Sequence, residues 1–140
     1  MASLLINIDV PHIDQGIAFY SKAFGLRLAR RLGPDFAELV GAQAPIYLIK
    51  SDSGSKPFMR AASSRDYARH WTPLHLDFVV DDLEAALKRA LAAGAKQEGE
   101  PSDHAYGRLV LLSDPFGHGV CLLQLNEQGY DAITTERVEL

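Results

Sequence analysis

The sequence predicts an α+β fold built from two βαβββ modules whose mixed sheets curve around a cavity. Three observations predict it. First, Leu5-Ile6-Asn7-Ile8-Asp9-Val10 returns later as Leu74-His75-Leu76-Asp77-Phe78-Val79, both alternating and both strand-like. Second, each copy precedes a stretch with apolar residues at helical spacing that stops at a glycine. Third, three short β-like runs follow each helix.

The first helix carries Ile13, Ile17, Tyr20 and Phe24 on one face and ends at Gly25. The second carries Leu83, Leu87 and Leu91, with Ala86, Ala90 and Ala93 beside them, and ends at Gly94. Asp81 followed by Glu84 reads as its capping box. The later runs are 26–32, 36–40 and 45–50 in the first half, and 96–100, 108–112 and 119–125 in the second. Gly33-Pro34-Asp35 and Asp114-Pro115-Phe116-Gly117 supply turns, the latter with proline at its favoured second position. The expected plan is therefore a first module at 1–50, a connector at 51–72, a second module at 73–125 and a tail at 126–140, all in one domain. The connector is Ser- and Arg-rich and longer than an ordinary loop, which suits a surface excursion or lid.

Composition narrows the function. The chain has 140 residues, 47 % of them apolar and 23 % charged, enough for a core without staples. Fourteen basic against 18 acidic residues leave a net charge of −4, so a nucleic-acid partner is not expected. Arg27 and Arg31 share one face of their strand and Arg30 takes the other, as on a solvated edge. No apolar run approaches a membrane span, and no leader pattern opens the sequence. Cys121 is the only cysteine, which suits a reduced, cytoplasmic protein.

Strand alternation assigns faces. Leu74, Leu76 and Phe78 should face the helix, and His75, Asp77 and Val79 the opposite side. Asn7 and Asp9 likewise oppose Ile6 and Ile8. If the two helix-free faces enclose a pocket, those polar residues line it. His75 is then a ligand donor or general base, against the plainer reading of a core histidine bonded to Asp77. Asp9 and Asp77 bind a cationic or hydroxylated ligand, or else an arginine of the opposite module. Glu38 faces either solvent or the cavity. Phe36, Tyr47, Trp71 and Tyr106 offer aromatic walls or plain packing. Cys121, in an apolar strand, reads as a buried inert thiol. Arg60, Arg65 and Arg69 on the connector grip an anion only if the connector folds over the pocket. Phosphate-loop, nucleophile-elbow, His-Glu-x-x-His and Cys-x-x-Cys motifs are absent from the sequence.

The two modules, with 7–11, 75–83 and the closing Asp114-Pro115-Phe116-Gly117-His118 turn, resemble the vicinal oxygen chelate superfamily over residues 3–125. That superfamily includes glyoxalase I, bleomycin-resistance proteins, extradiol dioxygenases and fosfomycin-resistance enzymes. The resemblance implies ligands on the first and last strand of each module, at positions matching Asn7, Tyr47, His75 and Cys121. None of the four is a carboxylate, which a hard cation prefers. The expectation is a small-molecule-binding protein with a metal-free cup between modules, binding through Asn7, Asp9, Tyr47, His75, Asp77, Tyr106 and Cys121. No cofactor is expected, and a homodimer is. The alternative is a metal-dependent lyase or isomerase of lactoylglutathione lyase type, or a dioxygenase, with a divalent metal at His75.

Overall fold

The computed structural model describes residues 1–139. The first module comprises β1 (Ile6–Val10), α1 (Ile13–Phe24), β2 (Arg27–Arg31), β3 (Phe36–Val40) and β4 (Ile46–Lys50). The second comprises β5 (Leu76–Val79), α2 (Leu83–Ala93), β6 (Lys96–Gln97), β7 (Ser102–His104), β8 (Gly107–Ser113) and β9 (Gly119–Leu125). A 3-10 helix at Gly129–Ile133 follows. The first sheet runs β1-β4-β3-β2 and the second β5-β9-β8-β6, with β7 also on β8. In each, the first strand is parallel to the last and the remaining pairs are antiparallel. None of the helices is long and apolar enough to cross a membrane.

Both helices stop where expected, at Gly25 and Gly94, each in the left-handed conformation that glycine adopts without a Cβ penalty. Three local expectations need correction. The α2 cap is Asp82, not Asp81: its side chain accepts from Ala85 N at 3.1 Å, and Glu84 turns instead to Arg108 on β8. Leu91 lies at the rim of the α2 stripe, and Ala90 takes the buried position. The strand expected at 96–100 ends at Gln97, and a separate short strand follows at Ser102–His104, because Gly99 adopts a positive φ and Pro101 has no N–H to donate.

The helices are what hold the modules together. α1 packs on α2, and the α1 side chains reach the inner face of the second sheet. Phe24 stacks flat on Phe78 with ring centroids 3.9 Å apart. The Tyr20 hydroxyl donates to Asp114 Oδ2 at 2.6 Å, with both groups buried. One apolar cluster runs through both modules, from Phe19, Leu39 and Leu48 to Leu83, Leu112 and Leu122. Each fully buried leucine or phenylalanine in it contributes roughly 1.5–3 kcal/mol of transfer free energy. The helix-bearing faces thus converge on a shared core, and the helix-free faces turn away from it. Among the described residues, β1 and β5 each pair on one side only.

The connector has neither helix nor strand, yet it is well tethered. Arg65 Nε donates to Asp9 Oδ2 at 2.8 Å, Tyr67 Oη to the Ser51 carbonyl at 2.6 Å, and His70 N to the Gly117 carbonyl at 3.1 Å. Arg69 makes a two-pronged bond to Glu98, at 2.6 and 2.9 Å. The stretch 67–70 therefore lies on the turn that leads into β9.

Candidate functional site

On the helix-free face of the second sheet, the ladder places Asp77 and Leu111 either side of Cys121. His75 stands one strand-repeat before Asp77 on the same side, with Nε2 3.2 Å from Asp77 Oδ1. The ligand atoms of His75, Asp77 and Cys121 all lie within 4.8 Å of one another. Cys121 is buried, while His75 and Asp77 are open to solvent. Burial, then the charge of Asp77 and a hydrogen bond to it, push the Cys121 thiol up to about 12. At neutral pH the sulfur keeps its proton and is no nucleophile. A cavity of about 170 Å³ adjoins the trio, walled by Leu111 and Cys121 on the sheet side and by Arg69, His70 and Trp71 from the connector. Burial and the neighbouring His118 hold the His70 imidazole below its ordinary range.

The helix-free face of the first sheet is more polar. Asn7 lies opposite Tyr47, and Tyr47 opposite Glu38. The Tyr47 hydroxyl donates to the Glu38 carboxylate, and Arg30 Nε donates to the same Oε2 at 2.9 Å. These two bonds hold the Glu38 carboxyl below the usual carboxylate range. Phe36 packs beside Tyr47 at 5.2 Å. The arginine faces expected from simple alternation are wrong here. A bulge between Leu28 and Arg30 puts Arg27 opposite Val40 and Arg30 opposite Glu38, on one face. Arg31 turns to the other face and bonds Asp14 of α1 at 2.7 Å.

The modules also fix their own correspondence. Counting back from Ile13 and Leu83, the first helical residues, Asn7 stands where Asp77 does, and both oppose the last strand, at Tyr47 and Cys121. His75 corresponds to the exposed Leu5, not to Asn7, and Asp9 is no counterpart of Asp77. Alternation is unchanged by a slip of two residues, so sequence pattern alone could not set this register.

Of the predicted residues, the fold brings His75, Asp77 and Cys121 together. Asn7 and Tyr47 share the other module's face. Asp9 is tied to Arg65, and its carbonyl contacts His118 Nε2 at 2.7 Å. Tyr106 sits apart on the β7–β8 turn, stacked on His104 and tilted against Tyr130 of the tail. Leu74 does not face α2; it precedes β5 and is exposed. Arg69, expected to grip an anion if the connector folds over the pocket, is instead bonded to Glu98, a residue given no part in a site by the sequence pattern. The close-approach glycines 117 and 119 were the available signal.

These residues suit a hard divalent cation poorly. Such an ion takes several oxygen ligands, chiefly carboxylates. Asp9, Glu38 and Glu98 are already bonded to Arg65, Arg30 and Arg69. Asp77 lies instead beside His75, with Oδ1 3.2 Å from Nε2.

The family model of a glyoxalase-like domain matches residues 5–123. The anthracycline biosynthesis protein DnrV of Streptomyces peucetius is 41 % identical over 63 residues, covering 45 % of this chain and 22 % of its own length. The match thus spans about a fifth of that relative. The uncharacterized protein Rv0887c of Mycobacterium tuberculosis is 30 % identical over 128 residues, covering 83 % of this chain and 75 % of its own. The fosfomycin resistance protein FosX of Listeria monocytogenes superposes with a TM-score of 0.68 at 18 % identity, covering 91 % of this chain and 96 % of FosX. FosX has also been solved with Mn(II) and sulfate. At that identity the likeness concerns the fold alone.

Proposed function

Because the chain belongs to the glyoxalase-like family of the vicinal oxygen chelate superfamily, we propose that it binds a small organic molecule, needing no hard divalent cation, in a cup completed by a second copy of itself. The observation that carries this reading is the outward turn of both helix-free faces. Val79 and Leu111 are apolar yet 61 % and 49 % exposed, on a sheet whose β5 edge pairs with no other strand among the described residues. A homodimer that lays the first-module face of one chain against the second-module face of the other covers them. The walls would then be Phe36, Tyr47, Trp71, Val79 and Leu111. His75 and Asp77 would orient the ligand. The lone cysteine suits a reducing compartment, the cytoplasm.

This lining fits a flat, largely aromatic molecule with a protonated amine or hydroxyl groups for Asp77 to accept from. Similarity to a protein named for anthracycline biosynthesis makes an anthracycline the first probe, with the glycopeptide bleomycin as the second. Expected is a rise in melting temperature with at least one of them, because a ligand at a hundred times its Kd adds about 2.7 kcal/mol of stability. Asp77→Asn should weaken that compound about tenfold, the loss of one hydrogen bond to a charged group. No shift with any aromatic probe, together with chelator-sensitive turnover restored by Mn(II), would favour the rival metal-dependent lyase or dioxygenase.

A further inference from the structure

We propose that a second cavity, divided from the cup by the Arg69–Glu98 ion pair, takes a neutral, hydroxyl-rich appendage of the bound molecule, such as a sugar. In joining that appendage to an aromatic ligand it rests on the reading of the cup. The chemistry of the second cavity does not.

The sheet sets the geometry. On the helix-free side of β8, Leu111 is followed by Ser113. Leu111 lies opposite Cys121 on β9, and its carbonyl accepts from Glu98 N at 2.9 Å. Ser113 lies opposite Gly119 on β9 and Lys96 on β6. Leu111 and Cys121 line the 170 Å³ cavity beside His75, whereas Ser113 and Lys96 line another of about 320 Å³. Arg69 and Glu98 line both. Their two-pronged bond, at 2.6 and 2.9 Å, closes the passage between them. Arg69 reaches that place because residue 119 is glycine: a Cβ there would stand 2.8 Å from Arg69 Nη2. Gly119 has no positive φ, so the backbone itself does not call for a glycine.

The lining sets the chemistry. Arg69 and Lys96 stand against Glu98 and Asp114 in the second cavity, so the charges cancel and no net charge selects an ion. What remains is hydrogen bonding. The Lys96 ammonium donates, the Glu98 carboxylate accepts, and the Ser113 hydroxyl does both. Ligand hydroxyls, each donor and acceptor at once, match that mixed set. The cup offers aromatic and apolar walls instead, so the two spaces suit the two halves of a glycosylated aromatic molecule.

The test is NMR titration of the isotope-labelled protein with naphthol, naphthyl glucoside and methyl glucoside. Naphthol should shift the Trp71 indole and the amides of Leu111 and Cys121. Methyl glucoside should shift the amides of Lys96, Glu98 and Ser113, and naphthyl glucoside both sets. Lys96→Ala, at an exposed position, should weaken naphthyl glucoside about tenfold, the loss of a hydrogen bond from a charged donor, and leave naphthol unchanged. Gly119→Ala displaces the Arg69 head. It should tighten naphthyl glucoside about two- to fivefold, the strength of a partly exposed ion pair, and leave methyl glucoside unchanged. If methyl glucoside shifts its set while naphthol shifts nothing, the second cavity stands and the cup reading falls. No movement of Lys96, Glu98 and Ser113 with either glucoside overturns the proposal whatever naphthol does, as does unchanged naphthyl glucoside affinity in both variants.

Discussion

Replacing Asp114 by alanine lowers the stability of the protein by about 4 kcal/mol, the largest effect of any single side-chain truncation expected here. Asp114 is 2 % exposed and carries three hydrogen bonds. Oδ2 accepts from the Tyr20 hydroxyl at 2.6 Å, and Oδ1 accepts from the backbone of Phe116 at 2.8 Å and of His118 at 2.9 Å. The first joins α1 of one module to the other; the remaining two shape the turn on which the connector lies. Truncation strands a buried hydroxyl and two amides, each costing about 1–3 kcal/mol when unsatisfied. Tyr20→Phe removes only the bridge between modules and costs roughly 2 kcal/mol. Urea unfolding of both variants checks the order. If Asp114→Ala unfolds no more readily than Tyr20→Phe, the turn does not depend on its carboxylate.

Gly117→Ala comes next, at about 3 kcal/mol. A Cβ at this position would stand 2.2 Å from the Ala68 carbonyl oxygen and 2.6 Å from its carbon. These are backbone atoms, which cannot swing aside as a side chain can. The φ of +82° adds about 1–2 kcal/mol of left-handed strain for any L-residue. Part of the penalty is escaped if 67–70 lifts off, breaking the bond from His70 N to the Gly117 carbonyl. Amide exchange at His70 should therefore accelerate in the variant more than exchange in α1 or α2. Equal protection at His70 in both proteins would mean that the connector is not seated on this glycine.

Much of the fold is legible in the sequence because each signal is local. Gly25 and Gly94 stop the helices they follow, and the alternation at 5–10 and 74–79 marks the two leading strands. The site is less legible, for three physical reasons. Alternation has a period of two, so it could not tell whether His75 answers to Asn7 or to Leu5; the helix starts at Ile13 and Leu83 and the cross-strand partners Tyr47 and Cys121 decide. One extra residue at the β2 bulge reverses the faces of Arg30 and Arg31, and no residue type announces it. The connector's place over the second sheet depends on contacts between residues far apart in sequence, Arg69 with Glu98 and Arg65 with Asp9, to which propensity is blind. His75, Asp77 and Cys121 were each singled out from the sequence. Their convergence follows from a strand pairing that places Asp77 opposite Cys121.

The proposed binding cup takes its two walls from two different chains, which subunit mixing can test. One variant carries Tyr47→Ala, damaging the first-module face, and another carries Asp77→Asn with His75→Ala, damaging the second. Each alone should fail to bind the aromatic compound that stabilises wild type. Unfolded together and refolded, they should recover binding, because a mixed dimer contains one cup with both faces intact. A mixture that binds no better than either folded parent would contradict the claim and return the cup to a single chain.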